Sequence, residues 1–320
     1  MSTLRNVQFR FQFSDWTLFS IQRPLLARAY SLDEAAAVAA SAAGLHTLPT
    51  LPPGCMGLML RSVPVADARV HIGMDASVKP PLLRYVMQCF PRYYIDMAQG
   101  FDEYRKKFSS KTRATLTRKT KKFADLGDGP IRWERITRAE ELDRFWTLAR
   151  QVSVKTYQER LLDAGLPVDP GFIAEAKRQA DADCLRAFLL FDGDRPVSYL
   201  YCPVQDGIVI YAYLGYDPDY LRLSVGTVLQ WLAVESLFAE QRFRYFDFTE
   251  GESEHKRLFS TGHLDCANVA LLRPTLANRL LVHSHMRFGR AVEALGNWLE
   301  AHDLKKRIRS WLRFGRGASA

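Results

Sequence analysis

Three consecutive apolar strands, followed directly by an apolar helix and one more strand, constrain the fold of this chain more than any other feature. Turn-forming residues such as Asp192-Gly193 and Asp206-Gly207 separate the three strands. We predict these five elements over Leu185–Phe191, Arg195–Val204, Gly207–Tyr216, Val225–Glu240 and Arg244–Phe248. A meander that continues into a helix and a further strand is typical of an α/β protein with a mixed sheet.

The chain before this region continues the alternation of strands and helices. A strand over 131–136 and an amphipathic helix over 138–152 look like the beginning of an α/β unit. Hydrophobic periodicity and capping residues predict five further elements, namely a strand at Val7–Phe13, a helix at Ser31–Ala43, a strand at Tyr93–Met97, a basic helix from Ser109 or Ser110 to Gly127, and a helix at Gly171–Ala182. The sequence thus predicts three segments: an N-terminal α/β half over 1–127, a central domain over 128–275 and helical additions over 276–320.

Positive charge is concentrated in two stretches of the chain. The 44 Lys and Arg residues exceed the 35 Asp and Glu residues, which gives a formal net charge of +9. Residues 102–122 and 273–316 each carry +7, so the remainder is acidic. Polyanions, anionic lipid and phosphorylated small molecules are all compatible partners. The helix at 110–122 lacks the interleaved aromatic residues of nucleic-acid binders, so a solvated face is the first expectation for it.

Composition and cysteine usage exclude several classes of protein. A chain with 48% hydrophobic and 25% charged residues is neither disordered nor fibrous. Its five cysteines contain no C-x-x-C pair, which argues against a disulfide framework and structural zinc. His283 and His285 do not share a helical face, so no metal site is expected. Because charges interrupt the N-terminus and no apolar run reaches the ~20 residues that cross a bilayer, we expect a cytoplasmic protein.

The turn between the third strand and the helix is a candidate anion site. Ser224 is a good N-cap residue, Gly226 follows it, and amides at a helix N-terminus attract phosphate. An ordinary strand-to-helix turn is an equally open interpretation, because short glycine signals are common.

A second candidate site follows the strand at 244–248. Four carboxylates, those of Asp247, Glu250, Glu252 and Glu254, lie within eight residues and beside His255 and Lys256. Such crowding can shift one pKa toward neutrality and produce a general base. A solvated acidic loop is the alternative.

In these two segments the chain resembles the GNAT acyltransferase superfamily, and in particular its branch associated with bacterial cellulose and exopolysaccharide biosynthesis. The resemblance covers about residues 101–272 and implies a GNAT-like acyl-CoA N-acyltransferase fold with a mixed central sheet, with two GNAT-like halves as an open alternative. In the superfamily the turn after the central strand binds the pyrophosphate of acyl-CoA. Here Leu221 stands where that pattern has a basic residue, and Ser224 where it has its first glycine. The resemblance implies acyl-CoA binding by Tyr216, Arg222, Ser224, Val225, Gly226 and Thr227.

The second motif of the resemblance is DFTEGESEHKRLF. Asp247, Gly251, Glu252 and Lys256 match the branch's pattern, whereas His255 stands where tyrosine is usual. The catalytic residues it implies are Asp247, Glu252, His255 and Lys256. Lys155, Tyr157 and Tyr213 are the implied acceptor-binding residues, and a loop surface is an equal alternative for the first two.

The function implied by the resemblance is transfer of an acyl group from acyl-CoA to an amine, with an amino sugar of polysaccharide assembly as the expected small-molecule or glycan acceptor. Two alternatives stay open. One is a Fem-type peptidyltransferase that takes its amino acid from charged tRNA. The other is a catalytically inactive GNAT-like module that docks on a membrane synthase.

The C-terminal run LKKRIRSWLRFGRG carries a separate expectation. Leu304, Ile308, Trp311 and Leu312 recur at helical spacing beside Lys and Arg, as in helices that lie at a membrane surface. A peripheral contact with the inner face of the membrane is therefore one expectation. A helix packed on the protein, with a frayed basic tail, is the other.

Overall fold

The computed structural model describes residues 3–13, 16–40, 51–65, 71–75, 80–127, 129–156 and 165–301 of the chain, which forms two compact units. One unit combines Met1–Phe90 with Asp265–Ala320, and the other is Pro91–Leu264. This division differs from the predicted boundaries at 127 and 275. The unit boundaries fall within the strands Leu82–Asp96 and Gly262–Leu272, where no proline- or glycine-rich linker marks them in the sequence. The predicted three-segment division stays a prediction.

The first unit contains a mixed sheet. Its strands are β1 (Thr3–Phe13), β2 (Trp16–Ala29), β3 (Gly57–Pro64), β4 (Ile72–Asp75), the first part of β5 (Leu82–Asp96) and the last part of β12 (Gly262–Leu272). β2 pairs in parallel with β3, whereas β1 with β2, β3 with β12, and β4 with β5 pair antiparallel. Phe9 and Phe11 are buried between exposed polar neighbours, as the alternation at 7–13 predicts.

Two helices complete the first unit, α1 (Leu32–Ala40) and α8 (Leu276–Ala301). The predicted start of α1 is confirmed, because the Ser31 hydroxyl accepts a hydrogen bond from Glu34 N and the Glu34 carboxylate accepts one from Ser31 N. This reciprocal pair is a capping box. Leu281 and Val282 of α8 join the apolar core around Phe9 and Tyr85.

The second unit alternates strands and helices, as the sequence predicts. Its helices are α2 (Phe101–Lys106), α3 (Ser110–Ala124), α4 (Leu142–Ser153), α5 (Pro170–Asp181), α6 (Val225–Ala239) and α7 (Glu254–Phe259). Its strands are β6 (Trp133–Ile136), β7 (Leu185–Asp192), β8 (Arg195–Gln205), β9 (Ile208–Ile210), β10 (Tyr213–Tyr216), β11 (Tyr245–Asp247) and the adjoining parts of β5 and β12. The predicted basic helix is confirmed over 110–124, with Ser109 accepting a hydrogen bond from Thr112 N at its start.

Both faces of the second unit's sheet are covered by apolar side chains. Within β7, Phe188 and Leu190 belong to one core, and Ala187 and Leu189 belong to the other. Residues of α3 and α6 contribute to the first core, and residues of α4 and α5 to the second. Helices on both faces explain why most residues of β7 are apolar. The predicted α/β architecture with a mixed sheet is confirmed, since β9 runs parallel to β11, whereas β8 pairs antiparallel with β7, β9 and β10, and β11 with β5.

The single strand predicted over Gly207–Tyr216 is wrong, because the structure divides it into β9 and β10. β9 pairs in parallel with β11, whereas β10 pairs antiparallel with β8. The change of partner falls at Tyr211, whose N–H donates to Asp247 O at 2.9 Å, and at Ala212, whose N–H donates to Tyr201 O at 3.2 Å. Beyond this point β10 and β11 pair with different strands. The candidate site residues follow these two strands in the chain.

The sequence pattern did not predict β12, and the segment predicted to form a basic C-terminal helix lies at 303–320, outside the described residues. Within the described part of the chain, α8 confirms that helical structure follows Thr275. None of the described helices combines the length and the apolar character needed to span a membrane.

Candidate active site

The turn after β10 is anchored by the fully buried carboxylate of Asp217. Asp217 accepts hydrogen bonds from Lys155 Nζ and from Arg195 Nη2, both at 2.7 Å, and from Asp219 N at 3.2 Å. Burial opposes ionisation, but the bonds from Lys155 and Arg195 outweigh it and lower the pKa of this carboxyl below its usual range. Lys155, which is predicted to bind the acceptor, therefore holds this turn in place through its hydrogen bond to Asp217.

Ser224 begins α6 in a way that the sequence did not predict. The chain passes through a 3₁₀ turn at Pro218–Leu223, and Ser224 then adopts left-handed backbone angles, φ 53° and ψ 41°. Its side chain makes no capping hydrogen bond, so the expected role of the hydroxyl as an N-cap is wrong. Instead its carbonyl accepts the N–H groups of Thr227 at 2.9 Å and Val228 at 3.1 Å. The amides of Val225 and Gly226, like the first amides of any α-helix, have no acceptor within the helix.

Gly226 packs closely against β10. A Cβ atom at this position would lie 3.3 Å from Leu214 Cδ2 and 3.3 Å from Tyr216 Cδ1. Val225 and Gly226 are buried, whereas Thr227 is half-buried and Tyr216 is exposed. The predicted cofactor residues thus lie together at one helix start, where two amides have no acceptor within the helix.

Basic residues of α3 lie beside this helix start. Lys122 Nζ donates to Arg222 O at 3.3 Å, and the charge of Lys119 acts on His255. Leu116 and Phe123 of α3 lie in the apolar core. Lys122 is exposed, as expected of a solvated face, whereas Lys119 is half-buried.

Asp247 is buried and paired with an arginine. Its carboxylate accepts hydrogen bonds from Arg92 Nε at 3.1 and 3.2 Å and from Arg92 Nη2, and one from Thr249 N at 2.8 Å. Only 1% of Asp247 and 7% of Arg92 are exposed. A carboxylate held by this many donors fixes the end of β11 and the following loop, which favours a positioning role over the predicted role as a base.

His255 lies on α7 and contacts a buried side chain of α6. Its Nε2 is hydrogen-bonded to Gln230 Oε1, and its ring lies 4.9 Å from that of Phe259. Burial, together with the charges of Lys119 and Lys256, lowers the pKa of His255 to about 4. The imidazole is therefore neutral at pH 7 and has a nitrogen lone pair for accepting a proton.

Lys256 is half-buried next to His255. Its Nζ donates to Glu250 O, and its N–H donates to the hydroxyl of Ser253, the N-cap of α7. Burial lowers the pKa of Lys256, while the charges of Asp247 and Glu250 oppose this shift. The resolved pKa shifts in this segment are thus those of the two basic residues, and both are downward. Glu252 and Glu254 are exposed.

The predicted residues are brought together only in part. Gly226 and Gln230 are four residues apart on α6, which corresponds to about 6 Å along the helix axis. His255 therefore lies within about two helical turns of the helix start. Tyr213 is half-buried and its ring lies 6.0 Å from that of Phe172 and 6.1 Å from that of Tyr201. Tyr157 lies outside the described residues.

Three residues of this site were missed in the sequence. Arg92 lies 155 positions before Asp247, so no local spacing joins them. Gln230 can be recognised in the sequence, because it interrupts the apolar pattern of α6. Lys119 is hidden among the other lysines of α3.

Metal ligation has no support in the described part of the chain, where no group of three or more His, Cys, Asp or Glu side chains could hold an ion. His283 is hydrogen-bonded to Arg279 O, and His285 to Tyr85 and Arg10 O.

Comparison with known proteins gives one family match, within the second unit. Residues 110–257 match the family model described as Acetyltransferase (GNAT) domain. The match supports an acyltransferase, and it includes α3, the helix start at 225 and the segment up to Lys256. A search of the curated proteins found no match.

Several solved structures are similar to this chain. They include the C-terminal domain of a putative lysylphosphatidylglycerol synthetase from Agrobacterium fabrum, with 12% identity, a TM-score of 0.46, and coverage of 73% of this chain and 72% of that one. L-PGS from Bacillus licheniformis has 12% identity, a TM-score of 0.43, and coverage of 71% of each chain. FemX has 13% identity, a TM-score of 0.41, and coverage of 66% of this chain and 72% of that one. TM-scores below 0.5 do not establish a shared fold.

Proposed function

We propose that the second unit transfers an acyl group from acyl-CoA to an amine acceptor. The observation that carries this proposal is the common placement, on the first two turns of α6, of a helix start whose first two amides lack an acceptor within the helix and of an imidazole hydrogen-bonded to Gln230. The GNAT family match covers this whole arrangement. The fit to acyl-CoA is supported by the donors at the turn and by the cations of α3.

The phosphates of CoA would bind at the start of α6. Amides of Val225 and Gly226 supply N–H donors and the positive end of the helix dipole. Lys122, held near Arg222 O at 3.3 Å, adds a positive charge beside them.

In the proposed reaction, the acceptor nitrogen attacks the thioester carbonyl carbon. A new C–N bond forms, the C–S bond breaks, and CoA leaves as a thiolate. The proton lost by the attacking amine passes to His255, which is neutral at pH 7, and then to the thiolate sulfur. Lys256 places a positive charge next to the imidazole, where it can stabilise the oxyanion of the tetrahedral intermediate.

We propose an amino sugar of polysaccharide assembly on the sequence resemblance alone, since pocket shape rather than fold sets acceptor choice.

Calorimetric titration with CoA and acetyl-CoA tests the cofactor site. We expect the wild type to bind both. Ser224→Glu, which places a negative charge at the turn, is expected to abolish binding, whereas the matched neutral variant Ser224→Gln is expected to retain it. Equal binding by both variants would place the site elsewhere, and no binding to the wild type would overturn acyl-CoA as the donor.

Acyl transfer to a panel of amines tests the catalytic residues. We expect His255→Gln and Lys256→Met each to lower kcat/KM by on the order of 10² or more, as for loss of a general base or of an oxyanion donor. Asp247→Asn should lower it through loss of the Arg92 pair and should also lower stability. Unchanged kcat/KM in both His255→Gln and Lys256→Met would show that the site residues are wrong.

Two other functions are outcomes of the same experiments. Absence of CoA binding together with salt-sensitive binding of aminoacyl-tRNA would favour a Fem-type peptidyltransferase. If neither donor binds and deletion of residues 303–320 abolishes membrane association, an inactive docking module would be favoured.

A further inference from the structure

Gln230 is a polar residue in an apolar environment. It is fully buried, and the other buried residues of α6 are apolar or glycine. Burial of an amide costs stability unless its hydrogen bonds are replaced. Gln230 Nε2 is buried and has no hydrogen-bond partner among the residues that the structure describes. Packing alone does not explain this choice of residue, because leucine or methionine would fill a similar volume without an unpaired amide.

The one hydrogen bond that Gln230 does make is to His255. Its Oε1 faces His255 Nε2. An amide oxygen can only accept, so the imidazole must carry its proton on Nε2. In a neutral ring the lone pair is then on Nδ1. The contact therefore selects one of the two neutral tautomers.

The surroundings of His255 disfavour a second proton. Lys119 from α3 and Lys256 from α7 are the cations whose charges act on the ring, and the Phe259 ring lies 4.9 Å away. No carboxylate is among the groups whose charges shift its titration. Two positive charges and partial burial together keep the imidazole uncharged.

We propose that Gln230 is a positioning residue that holds His255 as the Nε2–H tautomer, so that Nδ1 is the atom that accepts the proton of the acceptor amine. This role rests on the proposed function, because it assigns an atom to the proton transfer described there. The proton moves from the acceptor nitrogen to Nδ1 as the C–N bond forms, and from Nδ1 to the CoA sulfur as the C–S bond breaks.

The tautomer can be measured without substrate. In protein labelled with ¹⁵N-histidine, long-range ¹H–¹⁵N correlation spectra identify which nitrogen carries the proton. We expect His255 to be the Nε2–H form, and Gln230→Met to give a mixture of tautomers. Lys119→Gln is the matched control, since it removes a nearby charge but leaves the Gln230 contact, so the tautomer should be unchanged. An Nδ1–H form in the wild type would overturn the proposal even if Gln230→Met failed to fold.

A second variant changes the charge of the side chain that contacts His255. Gln230→Glu puts a carboxylate against Nε2 and should raise the titration midpoint of His255 by more than one pH unit. The acidic limb of the kcat/KM profile should move by the same amount, whereas a merely structural residue would leave that limb in place. A midpoint unmoved by Gln230→Glu would overturn the role of Gln230.

Failure of the two proposals can be told apart. If the spectra show the Nε2–H form but no donor and amine react, the proposed function fails while the assigned tautomer holds. If acyl transfer occurs and His255 is the Nδ1–H form, the reaction stands and the role of Gln230 is wrong.

Discussion

Ser224 holds a backbone conformation that favours glycine, with φ 53°. A left-handed conformation costs an L-residue about 1–2 kcal/mol, part of which glycine loses again through its greater freedom in the unfolded chain. We therefore expect Ser224→Gly to raise the free energy of unfolding by about 0.5–1 kcal/mol. Urea denaturation of the purified variant measures this change.

Ser224→Ala is the matched control for that experiment. Because the serine hydroxyl makes no capping hydrogen bond, its removal should change stability by less than about 0.5 kcal/mol. A loss near 1 kcal/mol, as for a true N-cap, would contradict the observed geometry.

The neutral state of His255 makes stability depend on pH. The unfolded imidazole has its ordinary pKa of 6.5, and burial lowers the pKa in the folded protein to about 4. Between these values the unfolded chain binds more protons, so the free energy of unfolding falls as pH falls from about 6.5 to 4. The expected loss is about 3 kcal/mol at most.

Comparison with His255→Gln isolates this contribution, because the variant retains every other titrating group. The difference in the free energy of unfolding between the wild type and His255→Gln, measured by urea denaturation, should shrink as the pH is lowered through this range. A constant difference between the two proteins would contradict a depressed pKa at His255.

At the scale of elements, Asp217 ties the turn after β10 to Lys155 at the end of α4 and to Arg195 at the start of β8. Asp217→Asn leaves two cations without a buried counter-charge, and we expect a loss of about 3 kcal/mol in the free energy of unfolding. Lys155→Met, which removes a partly exposed partner and leaves Arg195, should cost about 1 kcal/mol. Thermal denaturation of both variants tests this order, and an equal effect would contradict the buried anchor.

Elements of the second unit could be predicted where the pattern is local. The strand periods, Ser109 as an N-cap and the turns at 192–194 and 205–207 are local signals, and the structure confirms them. The break at Tyr211 could not be predicted, because apolar residues continue through it and only the change of pairing partner creates it. The role of Ser224 was wrong for a related reason: a side chain suited to capping says nothing about φ.

At the scale of the whole molecule, the distribution of charge can be predicted from the sequence more easily than the contacts between distant residues. The two +7 stretches were evident in the sequence, yet the pairing of Arg92 with Asp247 and of Lys155 with Asp217 joins residues far apart in the chain. Long-range pairs of this kind depend on the completed fold. For the same reason, the candidate residues were identified from a motif, whereas the partners that fix their protonation were not.

The five cysteines give a test that involves both units. All are thiols outside any disulfide, and Cys55, Cys202 and Cys266 are buried, whereas Cys89 and Cys184 are half-buried. Burial also raises the pKa of Cys202, so little reactive thiolate forms there. In the native protein, a thiol reagent such as dithionitrobenzoate should therefore label two residues at most, and all five after denaturation.

A variant with Cys89→Ser and Cys184→Ser provides the control, because it leaves the three buried thiols in place. We expect it to react only as it unfolds, so its labelling rate should follow the unfolding rate and rise with urea. Since no disulfide holds the chain, reductant should leave the stability of the wild type unchanged. Fast labelling of the double variant under native conditions would show that at least one of the three buried thiols becomes accessible without global unfolding.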